Sequence, residues 1–229
     1  MNTEIRMKNK TKKFSWSLDI STTNIGMALW DENGVLVELN HLQLSIDRDI
    51  PEEDRDIHKA DLFKKYCYSF NDRIKEEYYA ELENIFVEAP LSNTPKNINT
   101  TALLLGFNGM ARYVLYSVFN IMPLKIGIYQ SRKIFNPEFV KTKKVKGEIV
   151  QVLSFPSGWA SKEKKEYLRV KVSHLEPNVT WKYTRNGTIK PTSYDMSDAY
   201  VVGISGLIAM DVISYDDWYK MHEAIIENI

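Results

Sequence analysis

The sequence predicts an α/β fold: a mixed five-stranded sheet, built from a three-stranded antiparallel meander plus parallel strands, with helices on its faces. Three observations predict it. Short alternating runs joined by tight turns open the chain, as strands of a meander do. Two long segments of helical periodicity then separate the later strand-like runs, which is how crossovers to parallel strands are spaced. A last long apolar helix follows, giving the sheet a layer to pack against.

Residues 14–20 alternate as a first strand, 21–24 turn, and 26–30 return as a second. Asp31-Glu32-Asn33-Gly34 places Asn-Gly at a hairpin tip, and 35–44 form a third strand. Residues 46–56 are acidic and polar, a loop. Over 57–82, Leu62, Tyr66, Phe70, Ile74 and Tyr78 recur at helical spacing, predicting a long amphipathic helix. The run "NIFVE" at 84–88 is a fourth strand that ends in an acid and is stopped by Ala89-Pro90. Residues 99–119 predict a largely apolar, buried helix, and 123–129 a fifth strand followed by a short helix over 131–135. A basic run and "EIVQVLSF" over 141–157 suggest an inserted hairpin. Residues 162–173 form a basic helix, 177–191 a loop or ribbon, and 195–213 the last long helix.

The 229 residues suit a single domain over 14–215, with a basic insert at about 141–160. A basic, disordered leader is expected over 1–13 and a tail or short helix over 216–229. The single cysteine, Cys67, excludes an internal disulfide and a cysteine-based zinc cluster. It favours a reducing compartment, and a cytoplasmic location is expected. No uninterrupted apolar run reaches the roughly 18 residues of a membrane helix, so no membrane association is expected. The net charge of zero hides an asymmetry, since residues 124–190 carry 15 Lys and Arg against 5 Asp and Glu. A basic stretch on an otherwise acidic chain points to a polyanion-binding face, although solvated helix faces would look the same.

Asp19 closes the first strand and Glu88 the fourth, while Asp195 and Asp198 lie three apart on one face of the last helix. If the first and fourth strands are parallel neighbours, a helix start docked at their ends gathers four carboxylates. Such a cluster repels itself unless a divalent cation neutralises it, and hard oxygen donors suit Mg²⁺ or Mn²⁺. Each acid also has a structural reading: Asp195 is a natural N-cap, and Asp198 in a first turn complements the helix dipole.

The segments "LDISTTNIGMALWDENG", "IFVEAP" and "YDMSDAYVVGISGL", in that order, resemble the RuvC-type Holliday-junction resolvases of the RNase H-like superfamily. "LLGFNGMARYVL" and the Tyr-x-x-Arg of "YQSRK" further resemble phage-encoded members. The resemblance implies an RNase H-like sheet in which Asp19, Glu88, Asp195 and Asp198 bind two Mg²⁺ ions, with Mn²⁺ able to substitute. It implies hydrolysis of four-way junctions and other branched DNA to leave 5′-phosphates, by a homodimer in the cytoplasm of a phage-infected bacterium.

The family also places lysines near the scissile phosphate, and Lys133, Lys164 and Lys165 fall roughly there. Three residues beyond Arg132, where cellular resolvases carry a lysine, this chain has Phe135. Leu91 stands where they carry a junction-wedging aromatic. Arg132, Lys143, Lys144, Lys146 and Lys162 complete the residues expected to contact DNA, and Trp159, Trp181 and Tyr183 interleave with them as base-stacking candidates. Two other readings remain open: a less selective flap, fork or RNA–DNA hybrid nuclease, and an actin-like nucleotide-binding protein, whose first phosphate loop "DISTTNIG" also resembles.

Overall fold

A computed structural model describes residues 11–90, 98–145 and 147–226. Leu91, Lys146 and most of the expected leader lie outside the described residues. Five strands, β1 (Lys12–Ile20), β2 (Asn24–Trp30), β3 (Leu36–Gln43), β4 (Ala80–Ala89) and β5 (Leu124–Gly127), form one sheet in the order β3-β2-β1-β4-β5. β1, β2 and β3 pair antiparallel, β4 runs parallel to β1, and β5 runs parallel to β4.

Alternation along the strands builds two cores. Trp16, Leu18, Ile25, Met27, Leu29, Ile85 and Val87 bury one sheet face beneath α1 (Arg55–Glu77) and α2 (Ile98–Phe119). Ala28, Trp30 and Phe86 bury the other beneath α3 (Ile128–Phe135), α4 (Ser161–Leu175), α5 (Pro191–Ala209) and α6 (Tyr215–Ile226). Period-two alternation puts Ser17 and Asp19 of β1, Gly26 of β2 and Glu88 of β4 on this second face.

Small residues bring α5 unusually close to the sheet. A β-carbon on Gly26 would meet the Asp195 carbonyl oxygen at 1.9 Å, and one on Gly203 would meet the Trp30 indole at 2.4 Å. The buried Ser17 hydroxyl donates to the Ala199 carbonyl (2.9 Å) and accepts from Trp30 Nε1 (2.9 Å). One satisfied polar network thus fixes helix, central strand and β2 together.

Several boundaries differ from the expectation. The first long helix stops at Glu77, because Tyr79 takes a left-handed backbone (φ 52°), and residues 80–82 belong to β4 instead. The fifth strand ends at Gly127, where α3 begins three residues early.

α2 is not buried all round. Phe107, Ala111 and Leu115 face the core, while Leu103 (57% exposed) and Tyr113 (71%) face outward. Residues 101–119 are also long and apolar enough, by length and composition alone, to cross a membrane. α2 packs against α1 with its inner face in the core.

α5 begins at Pro191, with Lys190 at its N-cap, and ends at Ala209. The N-cap reading of Asp195 therefore falls away: it sits in the second turn, where its side chain caps nothing.

The basic segment includes a separate antiparallel hairpin, β6 (Val140–Val145) and β7 (Glu148–Leu153). Phe139, Phe155, Trp159 and Tyr167 pack ring to ring at its base, and the Leu153 amide donates to the Tyr129 hydroxyl (2.7 Å). The Lys171 ammonium is buried and donates to the Phe135 carbonyl (2.6 Å) and to Glu138 (2.8 Å), joining α4 to the segment after α3.

Candidate active site

Asp19 pairs with Gly26 across β1 and β2, and the parallel register of β1 and β4, continued past Leu18–Val87, brings Glu88 alongside. Because Gly26 lets α5 touch the sheet at Asp195, the second turn of that helix lands over the same strand ends. The four acids Asp19, Glu88, Asp195 and Asp198 line one cavity of about 420 Å³. Arg132 of α3 and Lys165 of α4 reach into it, and Arg132 Nη2 and Lys165 Nζ each bind one oxygen of the Asp198 carboxylate, at 3.0 and 3.1 Å.

The electrostatics are those of crowded, partly dehydrated acids. Burial, then the charges of Asp198 and Asp195, push the Asp19 carboxyl up to about 7. Burial and the neighbouring Asp19 raise Glu88 well above the usual carboxylate range. The Asp19 and Glu88 carboxyls act directly on one another, so they titrate as a pair rather than singly. Burial raises Asp195 to about 6 against the opposing pull of Lys165. Burial pulls Arg132 and Lys165 down, but the surrounding acids, Asp198 foremost, together more than offset it and leave both raised.

The donor set fits hard divalent cations in type: carboxylate oxygens in one pocket, with an excess of negative charge. As the side chains stand, no group of three or more Asp, Glu, His or Cys among the described residues is close enough to hold one ion. Both oxygens of Asp198 are, in addition, taken by cations of the chain itself. Ligation by Asp198 therefore requires it to exchange these partners. The buried Arg132 Nε has no hydrogen-bond partner, leaving a donor for an incoming anion.

The structure separates the expected DNA contacts. Arg132 and Lys165 lie with the acids. Lys133 points away, over the Tyr129 ring, and Lys164 lies over Phe155. Lys162 lines a groove beside Trp159. Lys143 and Lys144 are exposed on β6. Trp159 packs into the aromatic cluster at the hairpin base, Trp181 lies under Arg169, and Tyr183 is exposed. Asn108, buried in α2, also lines the acid cavity and was not foreseen, although an amide in the middle of an apolar helix was a usable signal.

No protein-family model matches the chain, and no curated protein does. Among solved structures it is similar to RuvC from Thermus thermophilus (TM-score 0.43, 9% identity, 86% of this chain and 96% of that one). It is similar also to T. thermophilus RuvC in complex with a Holliday junction substrate (TM-score 0.48, 8% identity, 87% and 96%). A Ppx/GppA family protein from Aquifex aeolicus gives a TM-score of 0.35 at 10% identity over 74% and 63%. At such identities residue roles have to be read from this chain's own geometry.

Proposed function

We propose that this chain is a metal-dependent, structure-selective endodeoxyribonuclease that resolves four-way junctions and other branched DNA, leaving 5′-phosphates. The observation that carries the reading is the meeting of Asp19, Glu88, Asp195 and Asp198 in one cavity, from residues up to 179 positions apart in the chain. The strand order β3-β2-β1-β4-β5, with acids at the ends of β1 and β4, supports an RNase H-like version of the fold.

Asp19, Glu88, Asp195 and Asp198 would hold Mg²⁺, or Mn²⁺ in its place. When bound, such ions supply Lewis-acid activation of water and of the phosphodiester. The chain's own residues do the rest. Asp19 and Glu88, both raised above the ordinary carboxylate range, would have to be ionised to serve as ligands. Arg132 and Lys165, released from Asp198, place cationic donors where a backbone phosphate enters, Arg132 through an Nε that is otherwise unpartnered. Lys143, Lys144 and Lys162 add backbone contacts along the basic stretch.

Symmetric cutting of a four-way junction calls for two such sites related by a two-fold axis, so the active species is a homodimer. The outward face of α2, with Leu103, Leu105, Tyr113 and Tyr116 exposed, is the surface on which a second copy would sit. The setting is a bacterial cytoplasm during phage infection. The experiment is cleavage of a four-way junction with Mg²⁺, in competition with flap, RNA–DNA hybrid and linear duplex. Junction preference by the wild type and no cleavage by Asp19→Asn support the reading. Hybrid preference, or full cleavage by Asp19→Asn, overturns it.

A further inference from the structure

We propose that a second cavity, between α3, the β6–β7 hairpin and α6, binds a nucleoside monophosphate unit. Its volume, about 530 Å³, lies within the ~300–1,000 Å³ of small-ligand sites. Lys133 supplies a cation, Gln130, Thr142 and Gln151 supply amide and hydroxyl groups, and Tyr215 and Tyr219 supply a wall of two rings with centroids 5.9 Å apart. No carboxylate is among the described residues lining it, the nearest acids acting on it being Glu138 and Asp216 beside Tyr215.

Each feature selects part of the same ligand. The ammonium suits a phosphate, the glutamine amides can donate to and accept from a base edge, and the tyrosines offer faces on which a base stacks. A purely apolar ligand would leave five polar side chains and a cation unused, and a bare inorganic anion would not need the rings. The walls are held in place independently: Tyr129 fastens β7 to α3, and the buried Trp218 of α6 packs on Phe135. The cavity is thus a preformed site rather than a gap beside a loose hairpin.

α3 gives the site its relation to the acids. Within one turn Arg132 reaches Asp198, while Gln130 and Lys133 face the second cavity. A nucleotide could reach it free in solution or as an unpaired nucleotide of a branched DNA. The second source rests on the nuclease reading, whereas the binding chemistry does not.

The test uses the full chain in EDTA, so neither metal nor cleavage enters. Titration with dAMP and dTMP is followed by ¹H–¹⁵N NMR, with Lys133→Ala and Gln151→Ala as variants of exposed or half-buried positions. The expected result is chemical-shift changes confined to 130–134, 140–142, 151 and 215–219, weakened fivefold or more in either variant. Anisotropy with a duplex carrying one bulged nucleotide and with the perfect duplex separates the sources. Loss of the bulge preference in Lys133→Ala marks DNA as the source, while an unchanged preference beside weakened dAMP binding marks the free nucleotide. No saturable shift with either nucleotide, or shifts that map to Asp19, Glu88, Asp195 and Asp198, overturns the proposal. Failure of junction cleavage alone leaves these readouts standing.

Discussion

Gly26 lies directly beneath Asp195: the helix backbone occupies the space that any side chain at position 26 would need, with a β-carbon falling 1.9 Å from the Asp195 carbonyl oxygen. The contact sets the height of α5 above β1, and so the distance of Asp195 and Asp198 from Asp19. Gly26→Ala must move backbone rather than a flexible side chain. We expect a stability loss of about 1–3 kcal/mol, as in overpacked cores. Divalent-ion affinity should fall by more than tenfold even in variant protein that is still folded, as read by calorimetry.

Asp19 and Asp195 are held near 7 and 6, above their ordinary value of 3.8. Groups raised in the folded state favour it most at pH values below the unfolded pKa, and that advantage disappears as pH rises through the folded value. Asp19→Asn removes the titration. In EDTA, the stability of this variant relative to wild type should therefore increase between pH 5 and 7.5, at about 1.4 kcal/mol per unit at most. Thermal melts across this range check it, and a difference independent of pH would contradict it.

Because ligating carboxylates must shed protons, Mg²⁺ or Mn²⁺ binding should release protons and tighten as pH rises from 5.5 to 7.5. Calorimetry in buffers of different ionisation enthalpy counts the protons. Release of about one proton at pH 6.5 is expected, chiefly from the Asp19–Glu88 pair.

Neighbouring cations should behave differently. Arg132→Ala and Lys165→Ala remove groups bound to Asp198 and should lower kcat by about 10²–10³, the usual cost of losing one positioned charge. Lys164→Ala, whose ammonium lies over Phe155, should instead weaken DNA binding and reduce its salt dependence by about one counterion. Single-turnover kinetics with binding isotherms separate the two effects.

Lys171 is wholly buried, and burial pushes its ammonium down to about 8 against the pull of Glu138. Lys171→Met strands that carboxylate and should cost about 3–5 kcal/mol. Adding Glu138→Gln should recover most of the loss, because the amide still accepts from Tyr167. Chemical denaturation of both variants measures the coupling.

Much of this arrangement was legible from pattern. Alternation in "SLDI" and "NIFVE" put both strand-end acids on one face, and the Asp-x-x-Asp spacing did the same on a helix. Helical periodicity did not separate the lysines: Lys164 lies four residues before buried Leu168 and Lys165 three, so both fall near the buried side. What pattern could not give was depth and docking. The outward half of α2 looks the same in sequence as a buried helix, and α5 starts at Pro191 because proline suits the first helical position, which a search for acidic caps passed over. The Asp198 pairing with Arg132 and Lys165 joins three helices distant in the chain, and no local signal encodes it.

The most direct measurement is an anomalous-difference map from crystals of the protein soaked in Mn²⁺. Density is expected between the carboxylates of Asp19, Glu88, Asp195 and Asp198, with Asp198 turned from Lys165. Manganese bound elsewhere, with these four side chains unmoved and unligated, would contradict it.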